Sequence, residues 1–255
     1  MRKHLCIVIS FCILSFVACS SSKTVKNSSK NATIICTEST YNMAADLVES
    51  YNANSEEDLQ IKLVDNISNI KEEKNNKCAI IAYENKKLKK FNEAPLGIDG
   101  VAIGIHKEKG IENLTYENLN KILNGTIDDW KDISNKEGKI KILAFKEIDN
   151  FLKLENKNKI QYIDKEKILK STMDKDTIAL IPKMELYKEF EYVKLDNIEL
   201  NDNNIKNGLY KITIPVNIYY NSKNKEALAG FMRYLKSDNG KKIIKKYYTC
   251  IDENS

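Results

Sequence analysis

Histidine is nearly absent from this chain: His4 and His106 are the only two in 255 residues. No CxxC or CxxH pair occurs, so zinc sites of the usual spacing and nucleophilic triads with a histidine base have no residues to draw on. Charge of one sign is not concentrated either. The formal net charge is +5, with acids and bases interspersed, and nucleic-acid binding needs a clustered basic face that is missing here. No internal repeat is present, and low complexity is confined to residues 20–32. A membrane-spanning run is missing too. Leu5 to Ala18 is almost continuously apolar, but spanning a bilayer takes about 20 such residues.

That short run has another meaning. Met1-Arg2-Lys3-His4 is a basic start, Leu5 to Ala18 an apolar middle, and Ala18 a small residue before a cut. Together they predict an export leader over 1–18. The segment "LSFVAC" resembles a bacterial lipobox, although Phe16 stands where leucine is usual. Cys19 is then the new N-terminus and the site of lipid attachment, palmitate included. An uncleaved N-terminal anchor is the alternative, and both readings hold the protein at a membrane outside the cytoplasm. Residues 19–32 carry much Ser, Lys and Asn without apolar periodicity, which predicts a flexible tether. Loss of Arg2 and Lys3 with the leader leaves a charge of +3. Cys6 and Cys12 leave with it. Of the cysteines that remain besides Cys19, the pair Cys36 and Cys78 could bridge, or both could be buried thiols like Cys250.

Beyond the tether, strand-like and helix-like patterns alternate. Residues 32–36, 59–65 and 77–83 read as strands, and 42–53 carries Met43, Leu47, Val48 and Tyr51 at helical spacing. This order suggests parallel βαβ packing. Residues 100–107, 139–145 and 177–182 are further strands, and "NFLKLEN" and "DKEKILKSTM" read as helices. Thr115 caps a helix that Gly125 ends, with Leu119, Ile122 and Leu123 as its apolar face and Trp130 beyond it. Residues 210–221 form a strand-like segment interrupted by Pro215, and 225–248 make two helices broken at Ser237–Gly240.

Two stretches carry a family resemblance. "LGIDGVAIGIHKEKGIENLTYENLNKILNGTIDDWKDI" resembles the middle of the phosphate-binding proteins of phosphate ABC transporters. Its correspondences are Asp99-Gly100-Val101-Ala102 for a D-G-[IV]-A strand, Asn113-Leu114-Thr115 for N-L-T, and Leu119 through Gly125 to Trp130 for LxxIFxGxIxxW. "GLYKITIPVNIYYN" and "FMRYLKSDNGKKIIKKYYTCI" are similar to the family's late strand and helix pair. The resemblance covers roughly 35–252. It implies an α/β, two-lobed type II periplasmic-binding-protein fold, each lobe a mixed sheet flanked by helices. Lobe I would take 33–105 plus 210–255, and lobe II 106–209.

The same resemblance implies where a ligand is held. An anion wants helix N-terminal N–H groups, short hydroxyls and usually an arginine. The family's first turn maps onto Thr37, Glu38, Ser39 and Thr40, which as residues alone read equally as a plain helix cap. Glu38 suits a dianion poorly unless it faces solvent. The second contact maps onto Asn85 and Lys86, where lysine lacks the fork of arginine and the run "ENKKLKK" also reads as a solvated face. The R-E-x-x-S-G-T-R motif maps onto Lys146-Glu147 and then Asp149 and Asn150, with the Ser-Gly-Thr absent. The family's A-I-G-[YF] strand becomes Thr177-Ile178-Ala179-Leu180.

The resemblance therefore implies a monomeric solute-binding lipoprotein with phosphate or a related small oxyanion as ligand and an ABC permease as partner. Its location would be the outer face of a cell membrane of the Gram-positive kind, and no cofactor or metal is implied. The alternative is a surface lipoprotein that has lost phosphate binding and serves as a sensory or interaction module. An enzyme is not expected: Glu38, Glu84 and Asp149 could converge, but no nucleophile–base pair accompanies them.

Overall fold

The computed structural model describes residues 32–65, 67, 70, 77–85, 88–148, 160–163, 174–186, 188 and 190–250. The leader, Cys19 and most of the tether lie outside them, as do the two segments read as helices at 150–156 and 164–173. Ala32, assigned to the tether from sequence, is buried, and its carbonyl accepts the Gln60 N–H at 3.0 Å.

Strand β1 (Thr33–Cys36) leads through Thr37 into helix α1 (Glu38–Ala53), and β2 (Gln60–Leu63) and β3 (Cys78–Tyr83) follow. β1 pairs in parallel with both β2 and β3. A strand buried on both faces reads as a continuous apolar run, which explains "CAIIAY" in β3. On α1, Met43, Ala44, Leu47, Val48 and Tyr51 share the buried face. Each large side chain among them contributes roughly 1.5–3 kcal/mol through burial. The helix begins four residues earlier than its apolar spacing predicts, because its first turn is set by polar caps.

The long strand β4 (Asn92–Ile105) is shared by two halves of one sheet. Over Asn92–Gly100 it pairs antiparallel with β11 (Thr213–Tyr220), and over Val101–Ile105 with β8 (Thr177–Pro182). β11 continues to β3, closing a first half with β1 and β2. β8 lies parallel to β6 (Lys141–Phe145), which pairs in parallel with β7 (Ile160–Ile163), forming the second half. β4 changes partner at Gly100, where an added Cβ would stand 2.3 Å from Leu200 Cδ1. Pro215 does not interrupt β11. The strand runs through it, bulges at Val216/Asn217, and the Pro215 carbonyl accepts the Glu84 N–H at 2.8 Å.

In the second half, Thr115 caps α2 (Tyr116–Leu123) by accepting the Asn118 N–H at 3.1 Å. Gly125, at φ 81°, follows as the stop. Trp130 is fully buried, donates its indole N–H to the Asp176 carbonyl at 3.1 Å, and lies beneath the Lys109 ammonium, 5.2 Å from its ring centre. Lys109 is buried as well, and is neutralised by Asp176 at 2.6 Å.

The last described residues return to the first half. Helices Ala229–Leu235 and Asp238–Tyr247 meet at Ser237, whose hydroxyl accepts the Gly240 N–H at 3.2 Å. Thr249 then forms an antiparallel bridge to Ile98. The possible Cys36–Cys78 bridge is ruled out by register. Cys36 pairs with Ile81, three positions from Cys78, or about 10 Å along the strand, and a disulfide needs its Cα atoms within about 7 Å. Burial pushes the Cys36 thiol up to about 12, with Glu147 adding to the effect.

Candidate functional site

The turn from β1 into α1 faces the turn that follows β6, across the two halves of the sheet. A helix start exposes unpaired N–H groups and the positive end of its dipole. Thr37 is the N-cap, extended at φ −97° and ψ 172°. Its hydroxyl belongs to a capping box with Thr40 and gives its hydrogen to Glu147 Oε2 at 2.7 Å, while the Ser39 N–H donates to Glu147 Oε1 at 3.2 Å. Thr40 is the other arm of the box: its hydroxyl accepts the Thr37 N–H at 3.3 Å and gives its single hydrogen to the Ile81 carbonyl at 2.8 Å. Thr40 is fully buried, and that hydrogen is committed to β3.

Glu147 belongs to the 3-10 turn Lys146–Ile148 directly after β6. Burial raises its carboxyl above the ordinary glutamate range, the bonds from Thr37 and Ser39 oppose the shift, and the charge of Glu38 adds to it. Withdrawing a carboxylate from water costs free energy unless its oxygens are hydrogen-bonded, and here both oxygens have a donor.

A second buried carboxylate lies nearby. Asp99 accepts the Tyr83 hydroxyl and the Gly100 N–H, each at 2.8 Å. Burial holds its carboxyl up at about 7 against those two bonds. Tyr83 stacks edge-on to Tyr248, with ring centres 6.5 Å apart, and the Tyr248 hydroxyl donates to the Ser39 carbonyl at 2.8 Å. Gly97 lets Tyr248 lie this close to β4, since a Cβ there would stand 2.9 Å from Tyr248 Cβ. Lys183 Nζ, at the end of β8, bonds Asp202 at 2.8 Å. Its charge favours ionised Asp99, and that of Glu185 disfavours it.

The sequence-predicted residues are therefore distributed unevenly. Thr37 and Ser39 converge on one carboxylate, and Thr40 stands behind them. Glu38 is exposed, so it faces solvent. Asn85 is half-buried after β3, where its peptide N–H serves the Tyr219 hydroxyl. Lys146 is exposed, beside Glu147 on the same turn. Lys86, Asp149 and Asn150 lie outside the described residues. Glu147, Asp99 and Tyr248 were not among the candidates. Glu147 was visible in the Lys-Glu pair of the motif, but its direction depends on a contact spanning 110 residues. Among the described residues, no His, Cys, Asp and Glu group is placed to hold a metal ion.

Such a turn can hold a small oxyanion, because two donors converge at a helix N-terminus. The PBP superfamily domain matches residues 21–239. The phosphate-binding protein PstS of Staphylococcus haemolyticus (strain JCSC1435) is 25% identical over an alignment of 191 positions that covers 65% of this chain. The chain spans 60% of that relative's length. Among solved structures, a phosphate ABC transporter substrate-binding protein from Clostridium perfringens, holding phosphate, superposes with a TM-score of 0.72. It is 19% identical, and the superposition covers 86% of this chain and 98% of that one. An ABC-type phosphate transport receptor from Vibrio cholerae gives a TM-score of 0.70 at 19% identity, covering 85% and 98%. At these identities the likeness shows the fold, the two-lobed α/β architecture of type II periplasmic binding proteins.

Proposed function

Because the chain belongs to the PBP superfamily, we propose that it is an extracytoplasmic solute receptor that holds phosphate or a related small oxyanion between its two lobes. The observation that carries this reading is the turn at the start of α1. There the Thr37 hydroxyl and the Ser39 N–H already hold a carboxylate, so the turn accepts an oxyanion in geometry and in charge. Lobe I contains this turn. Lobe II, reached through β4, would bring Lys146 to the other side of a bound anion. The division at 33–105 plus 210–255 and 106–209 follows the same reading, with β4 and the return to β11 as crossovers.

The leader motif supports lipid attachment at Cys19, and residues 19–32 would tether the receptor to the outer face of a Gram-positive membrane. A monomer docking on an ABC permease, with no chemistry on the solute, completes the proposal. Phosphate dianion would gain charge-assisted bonds worth about 1.5–3 kcal/mol each from the turn. The missing Ser-Gly-Thr donors make affinity weaker than in a full site by several orders of magnitude.

A second reading has its own support. Glu147 occupies both donors, which favours a relative that no longer takes phosphate and acts as a surface sensory or interaction module. Calorimetric titration of the purified chain with inorganic phosphate separates the two. Saturable binding supports the receptor, and absence of heat at millimolar phosphate supports the module.

A further inference from the structure

We propose that Glu147 is an internal occupant of the anion-accepting turn, so that the chain closes its own cleft and a solute anion enters only by displacing this carboxylate. The inference rests on the reading of that turn as an oxyanion site, and it adds the residue that controls access to it.

Three observations carry it. First, the two oxygens of Glu147 divide between two donors, the Thr37 hydroxyl at 2.7 Å and the Ser39 N–H at 3.2 Å, as two oxygens of a bound oxyanion would. Second, the carboxylate is delivered from elsewhere. It follows β6 in the second half of the sheet, whereas Thr37 and Ser39 follow β1 in the first. The contact ties the halves together and cannot persist if they part. Third, the helix does not need Glu147 as a cap. Thr37 and Thr40 already form a capping box, in which the Thr40 hydroxyl receives the Thr37 N–H, and the hydrogen of the Thr37 hydroxyl is directed away from the helix to the carboxylate.

The surroundings make the occupant easy to dislodge but hard for a second anion to share. Glu38 repels Glu147, and burial disfavours its charge. An incoming dianion beside an ionised Glu147 would meet the same repulsion at closer range. Displacement, with Glu147 swinging to solvent next to the exposed Lys146, leaves the two donors to the solute. A contact that is only structural would leave anion affinity unaffected by its removal.

The test compares the full chain in detergent with Glu147→Ala and Glu147→Gln, after circular dichroism has established folding. Two quantities are read: hydrogen exchange of the amides over 37–41, and the Kd for inorganic phosphate. Glu147→Ala is expected to speed that exchange, and to tighten phosphate binding, each by about tenfold or more, the size of one charge-assisted bond. Glu147→Gln, which keeps the volume and loses the charge, moves both in the same direction and carries the test if the alanine variant does not fold. Unchanged exchange in both variants overturns the proposal. So does faster exchange with phosphate affinity unchanged or weakened. Faster exchange with no phosphate binding in any of the proteins would leave the internal contact standing and remove the oxyanion reading on which displacement depends.

Discussion

Asp99 and Thr37 show how single side chains at the junction of the two halves set measurable behaviour. Asp99 is fully buried, and its carboxyl is held at about 7 in the folded chain against 3.8 ordinarily. The folded state therefore binds this proton more tightly than the unfolded state does. The resulting stability is complete below about pH 4 and is lost as pH rises through about 7, a change of roughly 4 kcal/mol at most. Asp99→Asn should flatten that part of the pH–stability curve, measured by denaturant unfolding at pH 5 and pH 8. A wild-type curve that rises over this interval, or a variant curve with the same slope, would contradict the assignment. Thr37→Val removes the hydroxyl that meets Glu147 and should cost about 1–2 kcal/mol in the same experiment at pH 7. Thr37 and Ser39 were legible in the sequence, because a strand leading into an apolar-periodic helix must pass through a polar cap. Glu147 was not, since nothing near it in the chain says which way it turns. The fate of the Thr40 hydroxyl was hidden for the same reason, its acceptor being a carbonyl on β3.

Among the elements, those with strong local signals read correctly and those that owe their form to a distant partner did not. β8 was predicted at 177–182 and is found there, because a short buried apolar run bounded by polar residues has one sensible reading. The break at Ser237 was equally plain from Ser-Asp-Asn-Gly. By contrast, β4 begins at Asn92, eight residues before its predicted start. "NEAPLG" has little strand character of its own and is extended because β11 pairs with it. β7 was missed as a four-residue strand, too short to show a pattern. Pro215 looked like an interruption, yet β11 accommodates it through a bulge. Packing between elements yields a further expectation. A Cβ on Gly240 would stand 2.2 Å from the Tyr234 carbonyl oxygen, a backbone atom that cannot move alone. Gly240→Ala should destabilise the chain by about 1–3 kcal/mol, seen as a lower denaturation midpoint, whereas the exposed Lys241→Ala should be nearly neutral.

At the scale of the molecule, β4 joins two sheet halves, and the Glu147 carboxylate links the loop after β6 to the turn after β1. Among the described residues, the junction holds the raised carboxylates Glu147 and Asp99, the tyrosines Tyr83 and Tyr248, and the turn at the start of α1. The proposed lipid attachment at Cys19 bears on where the molecule would work. Cys19→Ala should move the protein from the membrane fraction to the soluble extracellular fraction and abolish fatty-acid labelling. Unchanged labelling would remove Cys19 as the attachment site.

The central claim, a small oxyanion held at the start of α1, is tested most directly by nuclear magnetic resonance of the Ser39 amide during titration with inorganic phosphate. The account predicts a saturable shift of that resonance, reached at lower phosphate in Glu147→Ala and at roughly tenfold higher phosphate in Thr37→Val. A Ser39 resonance that stays in place at millimolar phosphate, in the wild type and in Glu147→Ala alike, would contradict it.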